Sequence, residues 1–577
     1  MSTPTTAFVS TAAPSQQSAP VASDPPTGKT ELADQLLMPV NRHTALVKIQ
    51  GPFTDRQLES IAEGMIYLKK LGLVSIIVLD SEDWHPPKRK SLLRLTVEEK
   101  RRKVVKLRER MKSETMRFAD LLEKLGGEAR PLLEGVLAVS GAEFTDDLTP
   151  IASTSAAAVV DPPAFPCDAE SPSDLFVDSL SGIRDAIRRG EIPIIPPIAL
   201  DASCFSLCVS ANDAVRAISS GLADHERMAG LRYEADARLR NDVDLTPVRI
   251  MVINREGGIP SPARGGMPHL SINLASEFEH IKNTFVWHDT HPTSLDNLAL
   301  IKDCLANLPR TASAVLVSHR SPRSLIANLI TNKPAHSPSL YHSLPPEDKL
   351  RHQPTIVRPG LPIRVFRSMA DVDKDKLTAL LEASFGKTLD AAPFYARMDR
   401  DLDFCIVAGD YKGVAMVTNE LPADWDPPPP RTTEPGAAEP MPIAYLDKFA
   451  VLPSLQGDGT VDFLWGALRD ESFGLGLQDA LNPNVGGKHG LGVGRDLVWR
   501  SRSNNPVNKW YFERSNGFLR MPPPPGTQVG FALFWCEAED RVGSFRRGES
   551  AGTGTEGVTD KLREWSKVCG AIPGCWA

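Results

Sequence analysis

Two arginines occupy alternate positions in one short apolar segment. Residues 497–502 read LVWRSR and are predicted to form a strand, so Arg500 and Arg502 should project from the same side. Two guanidinium groups side by side suit a ligand that carries one or two carboxylates. Asn505 and Tyr511 follow and add an amide and a phenol. The pattern predicts a carboxylate-binding site, and the alternative is two surface arginines that pair with acidic neighbours.

A second candidate site is a glycine-containing turn between a predicted strand and a predicted helix. The strand covers residues 444–451, the turn contains Gln456, Gly457 and Gly459, and the helix covers residues 461–471. The N-terminus of a helix offers free N–H groups and the positive end of the helix dipole. This turn therefore predicts a site for an anion such as a phosphate.

The elements that must position these residues form two different patterns. In the second half we predict strands at 363–366, 404–407 and 413–418, and a helix at 371–385. In the first half, apolar strands alternate with helical patterns, which indicates a parallel sheet covered on both faces. These five predicted strands are residues 45–49, 74–79, 192–195, 248–253 and 314–317.

Several motifs resemble those of known families. YLDKF at 445–449, QGDG at 456–459, WRSR at 499–502 and NPVNKWYF at 505–512 together resemble the acetyltransferase domain of the N-acetylglutamate synthases, in particular the fungal type. In the first half, VKIQG at 47–51, GEIPII at 190–195 and ANDA at 211–214 resemble amino-acid kinases. The resemblance implies an α/β protein, in which an amino-acid-kinase-like parallel α/β sandwich is followed by a GNAT acetyltransferase domain.

The resemblance also implies an activity. Members of this family transfer acetyl from acetyl-CoA to the α-amine of L-glutamate, which is the first step of arginine biosynthesis, and they use no metal. By position, the glutamate-contacting residues are Lys448, Arg500, Arg502 and Asn505, and Tyr511 lies near the CoA sulfur and donates a proton. The CoA-binding residues are Phe449, Val451, Gln456, Gly457 and Gly459. Lys448 or a water is the candidate base, and Val461 stands where the family has Gly or Ala.

The kinase-like half lacks the phosphate-binding glycines of its relatives. Lys48 and Asp213 are present, but DSED occupies residues 80–83, where three carboxylates would repel a polyanion. We therefore predict a regulatory domain that binds L-arginine as an effector. Two other functions remain open: a non-catalytic arginine-sensing subunit, and an acetylglutamate-kinase-like enzyme.

The predicted organisation has five parts. Residues 1–38 are a disordered segment, 39–335 the kinase-like domain with a disordered insertion at 145–174, 336–360 a linker, 361–545 the acetyltransferase domain with flexible insertions at 422–442 and 474–494, and 546–577 a tail. The resemblance implies a homo-oligomer, with association with acetylglutamate kinase as an option.

Charge and composition exclude other classes. The net charge is −7, and no apolar run reaches the ~18 residues of a membrane span. The basic stretch 88–112 fits the outer face of an amphipathic helix better than a nucleic-acid site, because aromatic residues do not alternate with its charges. His288 and His291 have the spacing of a metal pair, but Pro292 favours a turn. We predict no metal, no nucleic acid and no membrane span.

The resemblance implies the mitochondrial matrix, yet residues 1–28 contain no Arg or Lys and make a poor transit peptide. We expect that translation starts further upstream. The alternative is a cytosolic enzyme with an inert tail.

Overall fold

The computed structural model describes a defined set of segments. They are residues 43–84, 97–140, 175–201, 204–233, 244–320, 351–421, 443–455, 459–469, 473–475, 496–521, 523, 530–536 and 555–576. The segments predicted to be disordered or flexible at 1–38, 145–174 and 422–442, and nearly all of 474–494, lie outside the described residues. None of the helices in the described segments is both long enough and apolar enough to cross a membrane.

The first half is organised around an eight-stranded sheet. Its strands are β1 (His43–Gly51), β2 (Leu73–Ser81), β3 (Ala129–Pro131), β6 (Ile192–Ile195), β9 (Pro247–Asn254), β10 (Ser271–Asn273), β11 (Ser313–Ser318) and β12 (Thr355–Arg358). The order is β10-β12-β11-β9-β1-β2-β6-β3, and every neighbouring pair is parallel except β11 and β12. The five strands predicted from apolar runs lie within β1, β2, β6, β9 and β11.

Helices cover both faces of this sheet. They are α1 (Asp55–Lys70), α2 (Val97–Lys124), α3 (Ser181–Arg189), α4 (Ala211–Tyr233), α5 (Leu274–Thr284) and α6 (Ser294–Asn307). Leu46 packs with α3 to α6 and Val47 packs with α1 and α2, because successive side chains of a strand point to opposite faces. The sequence-based prediction of a doubly covered parallel sheet is confirmed. On α2, Met111 and Phe118 are buried, which agrees with the predicted amphipathic helix.

A small four-stranded sheet completes this half. It consists of β4 (Leu137–Val139), β5 (Leu175–Val177), β7 (Ile198–Leu200) and β8 (Ser206–Cys208), in the order β5-β4-β7-β8. The alternation of long apolar runs and helices gave no indication of it, because each strand has only three residues.

The predicted linker, residues 336–360, contains an unexpected strand. Residues 355–358 form β12, which lies between β10 and β11 in the first sheet. Just beyond it, Asn273 Nδ2 donates to the carbonyl of Leu361 at 2.9 Å. The chain therefore passes from a strand of the first sheet directly into the second half.

A seven-stranded sheet forms the second half. Its strands are β13 (Ile363–Phe366), β14 (Leu402–Ala408), β15 (Gly413–Glu420), β16 (Ile443–Val451), β17 (Leu497–Arg502), β18 (Gly517–Met521) and β19 (Phe531–Cys536). The order is β13-β14-β15-β16-β17-β19-β18, and only β16 and β17 run parallel. The mixed α/β architecture confirms the predicted fold class, a kinase-like sandwich followed by a GNAT domain.

Five helices accompany the second sheet: α7 (Lys374–Phe385), α8 (Ala391–Asp401), α9 (Thr460–Arg469), α10 (Asn508–Phe512) and α11 (Thr555–Ala571). α9 and α10 pack on one face, and α7, α8 and α11 pack on the other. α11 lies within residues 546–577, which were predicted to be a tail. Its residues Trp565 and Val568 are buried against the sheet.

Candidate active site

The second sheet opens between its two parallel strands. β16 and β17 pair at only two positions, Ala444 with Leu497 and Tyr445 with Val498. Beyond these positions the pairing of β16 with β15 shifts by one residue, which makes Asp447 the extra residue of a β-bulge. A bulge bends a strand and re-aims its side chains. The pairing of β16 with β17 therefore ends after Tyr445 and Val498, and a gap lies between the two strands beyond these residues.

The bulge places an ionic cluster at one edge of the gap. Asp447 accepts hydrogen bonds from Lys448 and Arg397, and Arg397 also donates to Glu420. Burial raises the pKa of Asp447, but the charges and hydrogen bonds of Lys448 and Arg397 outweigh it and hold that pKa below its usual value. The Lys448 ammonium also lies 5.1 Å from the centre of the Phe394 ring on α8. The cluster thus holds a buried lysine on the α8 face of the sheet.

The two arginines of β17 have different surroundings. Arg500 shares its side of the strand with Val498, which packs against α11. Its Nη1 donates to the carbonyl of Cys569 at 2.7 Å, and its Nη2 donates to the carbonyl of Ile572 at 2.5 Å. Arg502 is exposed. The sequence predicted that both guanidinium groups face a substrate, whereas here Arg500 binds main-chain carbonyls, so direct contact of Arg500 with glutamate stays a prediction.

Asn505 lies in the turn that follows β17. Its Nδ2 donates to Ser501 Oγ at 2.9 Å, and its Oδ1 accepts from the main-chain N–H of Val507 at 3.1 Å. The turn keeps Asn505 close to Arg502, whose carbonyl accepts from the main-chain N–H of Asn505 at 2.9 Å. Asn505 and Arg502 therefore lie next to each other at the end of β17.

Tyr511 lies on the opposite face of the sheet. It is on α10, and its ring is 5.4 Å from that of Trp499 and 5.5 Å from that of Phe534. Burial raises the pKa of the Tyr511 phenol above its usual value, so the hydroxyl remains protonated at neutral pH. Tyr511 and Lys448 thus flank the same sheet from its two sides.

The predicted CoA turn is described in part. Gln456 and Gly457 lie outside the described residues, and Gly459 directly precedes α9 with φ +89°. An added Cβ at Gly459 would lie 1.2 Å from Nη1 of Arg358, the last residue of β12. Arg358 is 6% exposed, and its guanidinium is 5.7 Å from the Phe463 ring on α9. Sequence reasoning missed this arginine, because it was assigned to the linker.

Phe449 and Val451 follow the bulge on β16, beyond the last position paired with β17. The Phe449 ring stacks on Trp510 at 5.7 Å and contacts Trp465 edge-on at 5.9 Å. These contacts fix β16 against α9 and α10. Main-chain groups of this part of β16 therefore border the gap, and the binding of CoA by Phe449 and Val451 stays a prediction.

In the first half, the kinase-like residue Lys48 lies in a buried polar cluster, whereas Asp213 pairs with Arg216 at 2.8 Å. Lys48 is 1% exposed, pairs with Asp80 at 3.0 Å, and donates to Asn212 and Asn297 at 2.6 and 2.9 Å. The lysine that a kinase would use on phosphate thus has an internal carboxylate partner. This arrangement supports the prediction that phosphoryl-transfer chemistry is lost.

The predicted histidine turn is present. His288 is exposed in a turn before α6, and His291 is half-buried. Burial lowers the pKa of His291, although the nearby Glu256 carboxylate opposes the shift. In the described segments, no group of three or more His, Cys, Asp or Glu side chains could hold a metal ion.

Comparisons with known proteins find similarity to one family of acetyltransferases. A sequence model of the family described as NAT, the N-acetyltransferase of N-acetylglutamate synthase, matches residues 364–476 and 494–544. N-acetylglutamate synthase from Neisseria gonorrhoeae, solved with coenzyme A and N-acetyl-glutamate, aligns over 86% of this chain and 96% of its own, with 13% identity and a TM-score of 0.45.

Two fungal relatives match almost the whole chain. The mitochondrial amino-acid acetyltransferase of Laccaria bicolor is 47% identical over 550 residues, which are 94% of this chain and 86% of the relative. That of Coprinopsis cinerea is 46% identical over 559 residues, which are 94% of this chain and 80% of the relative. The predicted resemblance is confirmed, and the chain belongs to the mitochondrial amino-acid acetyltransferase family.

Proposed function

We propose that this acetyltransferase moves the acetyl group of acetyl-CoA to the α-amine of L-glutamate, which gives N-acetyl-L-glutamate and CoA. The observation that carries the proposal is the gap between β16 and β17, with Lys448 on one face of the sheet and Tyr511 on the other. The family description of the second half, which names N-acetylglutamate synthase, agrees with this substrate.

Acetyl-CoA occupies the α9 side in this proposal. The N-terminus of α9 and the turn with Gln456, Gly457 and Gly459 receive the pyrophosphate, since free N–H groups and the helix dipole favour an anion there. Main-chain N–H groups of Phe449 or Val451 polarise the thioester carbonyl.

Glutamate occupies the α8 side. Lys448, Arg502 and Asn505 bind its carboxylates in this proposal, whereas Arg500, which the sequence also predicted to bind glutamate, donates to the carbonyls of Cys569 and Ile572. Binding both reactants in one gap removes an entropic cost from the reaction. Lys448 Nζ donates to the Asp447 carboxylate, so we assign it to carboxylate binding and the removal of the amine proton to water.

The proton balance follows from these positions. The neutral amine attacks the thioester carbonyl carbon, the C–S bond breaks, and the CoA thiolate leaves. Burial raises the pKa of Tyr511, so its phenol is protonated at neutral pH, and it donates this proton to the sulfur as the thiolate forms. Water takes one proton from the substrate ammonium before the attack and a second from the attacking nitrogen once the C–N bond has formed, and the phenolate is reprotonated from solvent.

The remaining proposals concern organisation and regulation. We assign regulation by L-arginine to the domain built on the first sheet, residues 43–358, and catalysis to residues 361–545. We also propose that the protein forms a homo-oligomer in the mitochondrial matrix and associates there with acetylglutamate kinase. The relatives are named mitochondrial, which supports this location.

Two assays on the purified full chain test the proposed function. Acetyl-CoA with L-glutamate should give N-acetylglutamate and free CoA, and L-arginine should lower that rate. ATP with N-acetylglutamate should give no acyl phosphate, because DSED at 80–83 stands in place of the phosphate-binding glycines. Phosphorylation in the second assay without acetyl transfer in the first would contradict the proposal, and a rate unaffected by arginine would contradict the regulatory assignment.

A further inference from the structure

A segment outside the matched family region crosses the glutamate side of the gap. The family model matches residues up to 544, whereas α11 and the residues after it lie beyond that point. We call residues 569–576, the last turn of α11 and the segment that follows it, the strap. Nothing in the sequence motifs or the family match assigns it a role.

One end of the strap is fixed to β17. Cys569 is fully buried and packs with Val498 and Trp535 of the sheet. Arg500 donates to the carbonyls of Cys569, Gly570 and Ile572. The last carbonyls of a helix have no partner within the helix and carry the negative end of its dipole, so a guanidinium there is stabilising. Arg500 thus anchors the strap.

The other end of the strap is fixed near β16. Asp390 donates its main-chain N–H to the carbonyl of Cys575 at 2.9 Å, and Trp576 forms an isolated β-bridge with Leu389. The Trp576 ring lies 4.9 Å from the Phe385 ring and 6.0 Å from Lys448 Nζ. The segment therefore reaches from Arg500 on one edge of the gap to Lys448 on the other.

We propose that the strap is a wall of the amino-acid pocket, and that Arg500 is a positioning residue that holds this wall in place while Trp576 lines the pocket beside Lys448. The inference rests on the proposed glutamate site. An indole beside an ammonium excludes water from one side of it, which strengthens the attraction between the ammonium and a substrate carboxylate.

The Arg500 role can be separated from direct substrate binding. A lysine at this position can still donate to helix carbonyls, but it cannot form the paired contact of a guanidinium with a carboxylate. Arg500→Lys should therefore keep the KM for glutamate within about 3-fold of the parent, whereas Arg500→Ala should raise it by about 10-fold or more. Equal increases in the two variants would overturn the positioning role.

The labelling of Cys569 reports on the strap independently of activity. Burial raises the pKa of this thiol to about 12, so it should react with a maleimide only when the strap opens. Mass spectrometry of the labelled peptide distinguishes Cys569 from the partly exposed Cys575. In Arg500→Ala, Cys569 should be labelled several-fold faster than in the parent. In Glu564→Gln, which changes an exposed residue of α11, Cys569 should be labelled at the parental rate.

The closing experiment measures both Michaelis constants in full-length Trp576→Ala and Trp576→Phe. Trp576→Ala should raise the KM for glutamate about 10-fold and leave the KM for acetyl-CoA within 2-fold, and Trp576→Phe should recover most of the loss, because an aromatic ring remains beside Lys448. An unchanged KM for glutamate, or a higher activity after loss of the indole, would overturn the proposal. A parent enzyme without glutamate acetylation would instead contradict the proposed function.

Discussion

Gly459 sits where the chain requires a residue without a side chain, and Gly459→Ala tests the CoA side of the site. Its φ of +89° disfavours any L side chain, at a cost of about 1–2 kcal/mol. An added Cβ would also lie 1.2 Å from Nη1 of Arg358, so either the arginine or the turn must move. We expect the KM for acetyl-CoA to rise by about 10-fold or more, since ~1.4 kcal/mol corresponds to one factor of ten.

Gly466→Ala is the matched control, because this glycine is on the same helix and an added Cβ there meets nothing within 4 Å. It should leave both Michaelis constants unchanged and raise the melting temperature slightly, since Ala is the better helix former. In the double variant Gly459→Ala/Arg358→Ala, removal of the arginine should relieve the collision but not the backbone strain. Initial rates at varied acetyl-CoA give the KM. An unchanged KM in Gly459→Ala would refute the proposed CoA turn.

Three further variants test other parts of the site. Tyr511→Phe should lower kcat by about 10²-fold or more with little change in either KM. Because burial raises the pKa of Tyr511, ionisation of this phenol should not lower the parental kcat near pH 9. An unchanged kcat in the variant would remove Tyr511 from the mechanism. Arg502→Ala should raise the KM for glutamate, whereas the equally exposed Arg520→Ala should not. Lys48→Met should reduce the free energy of unfolding by about 3–5 kcal/mol, because it leaves Asp80 buried without its cation. The folded fraction should retain acetyl transfer. The double variant Lys48→Met/Asp80→Asn should recover part of the lost stability.

Apolar runs in the sequence predicted the central strands of the first sheet. The five predicted apolar runs of the first half became neighbouring strands of its sheet, because a strand buried on both faces must be apolar throughout. β12 was missed, since residues 336–360 were assigned to a linker and the position of β12 depends on β10 and β11, which are far away in the sequence. α11 was missed for a similar reason: its partners on the sheet precede it by many residues.

The sequence motifs gave candidate residues for the site but not their arrangement. The motifs identified Lys448, Arg502 and Tyr511, and alternation along β17 placed both arginines on one side. Alternation cannot reveal that helix carbonyls bind Arg500, because that contact depends on how α11 packs. Arg358 was likewise hidden, since its role at Gly459 exists only once β12 has joined the first sheet.

The central claim is that both substrates meet in one gap and that acetyl passes directly between them. Initial rates measured with acetyl-CoA and L-glutamate both varied test this most directly. A ternary complex predicts double-reciprocal lines that intersect, and formation of N-acetylglutamate only when both substrates are present. Parallel lines, with release of CoA before glutamate is added, would show an acetylated enzyme intermediate and contradict the account.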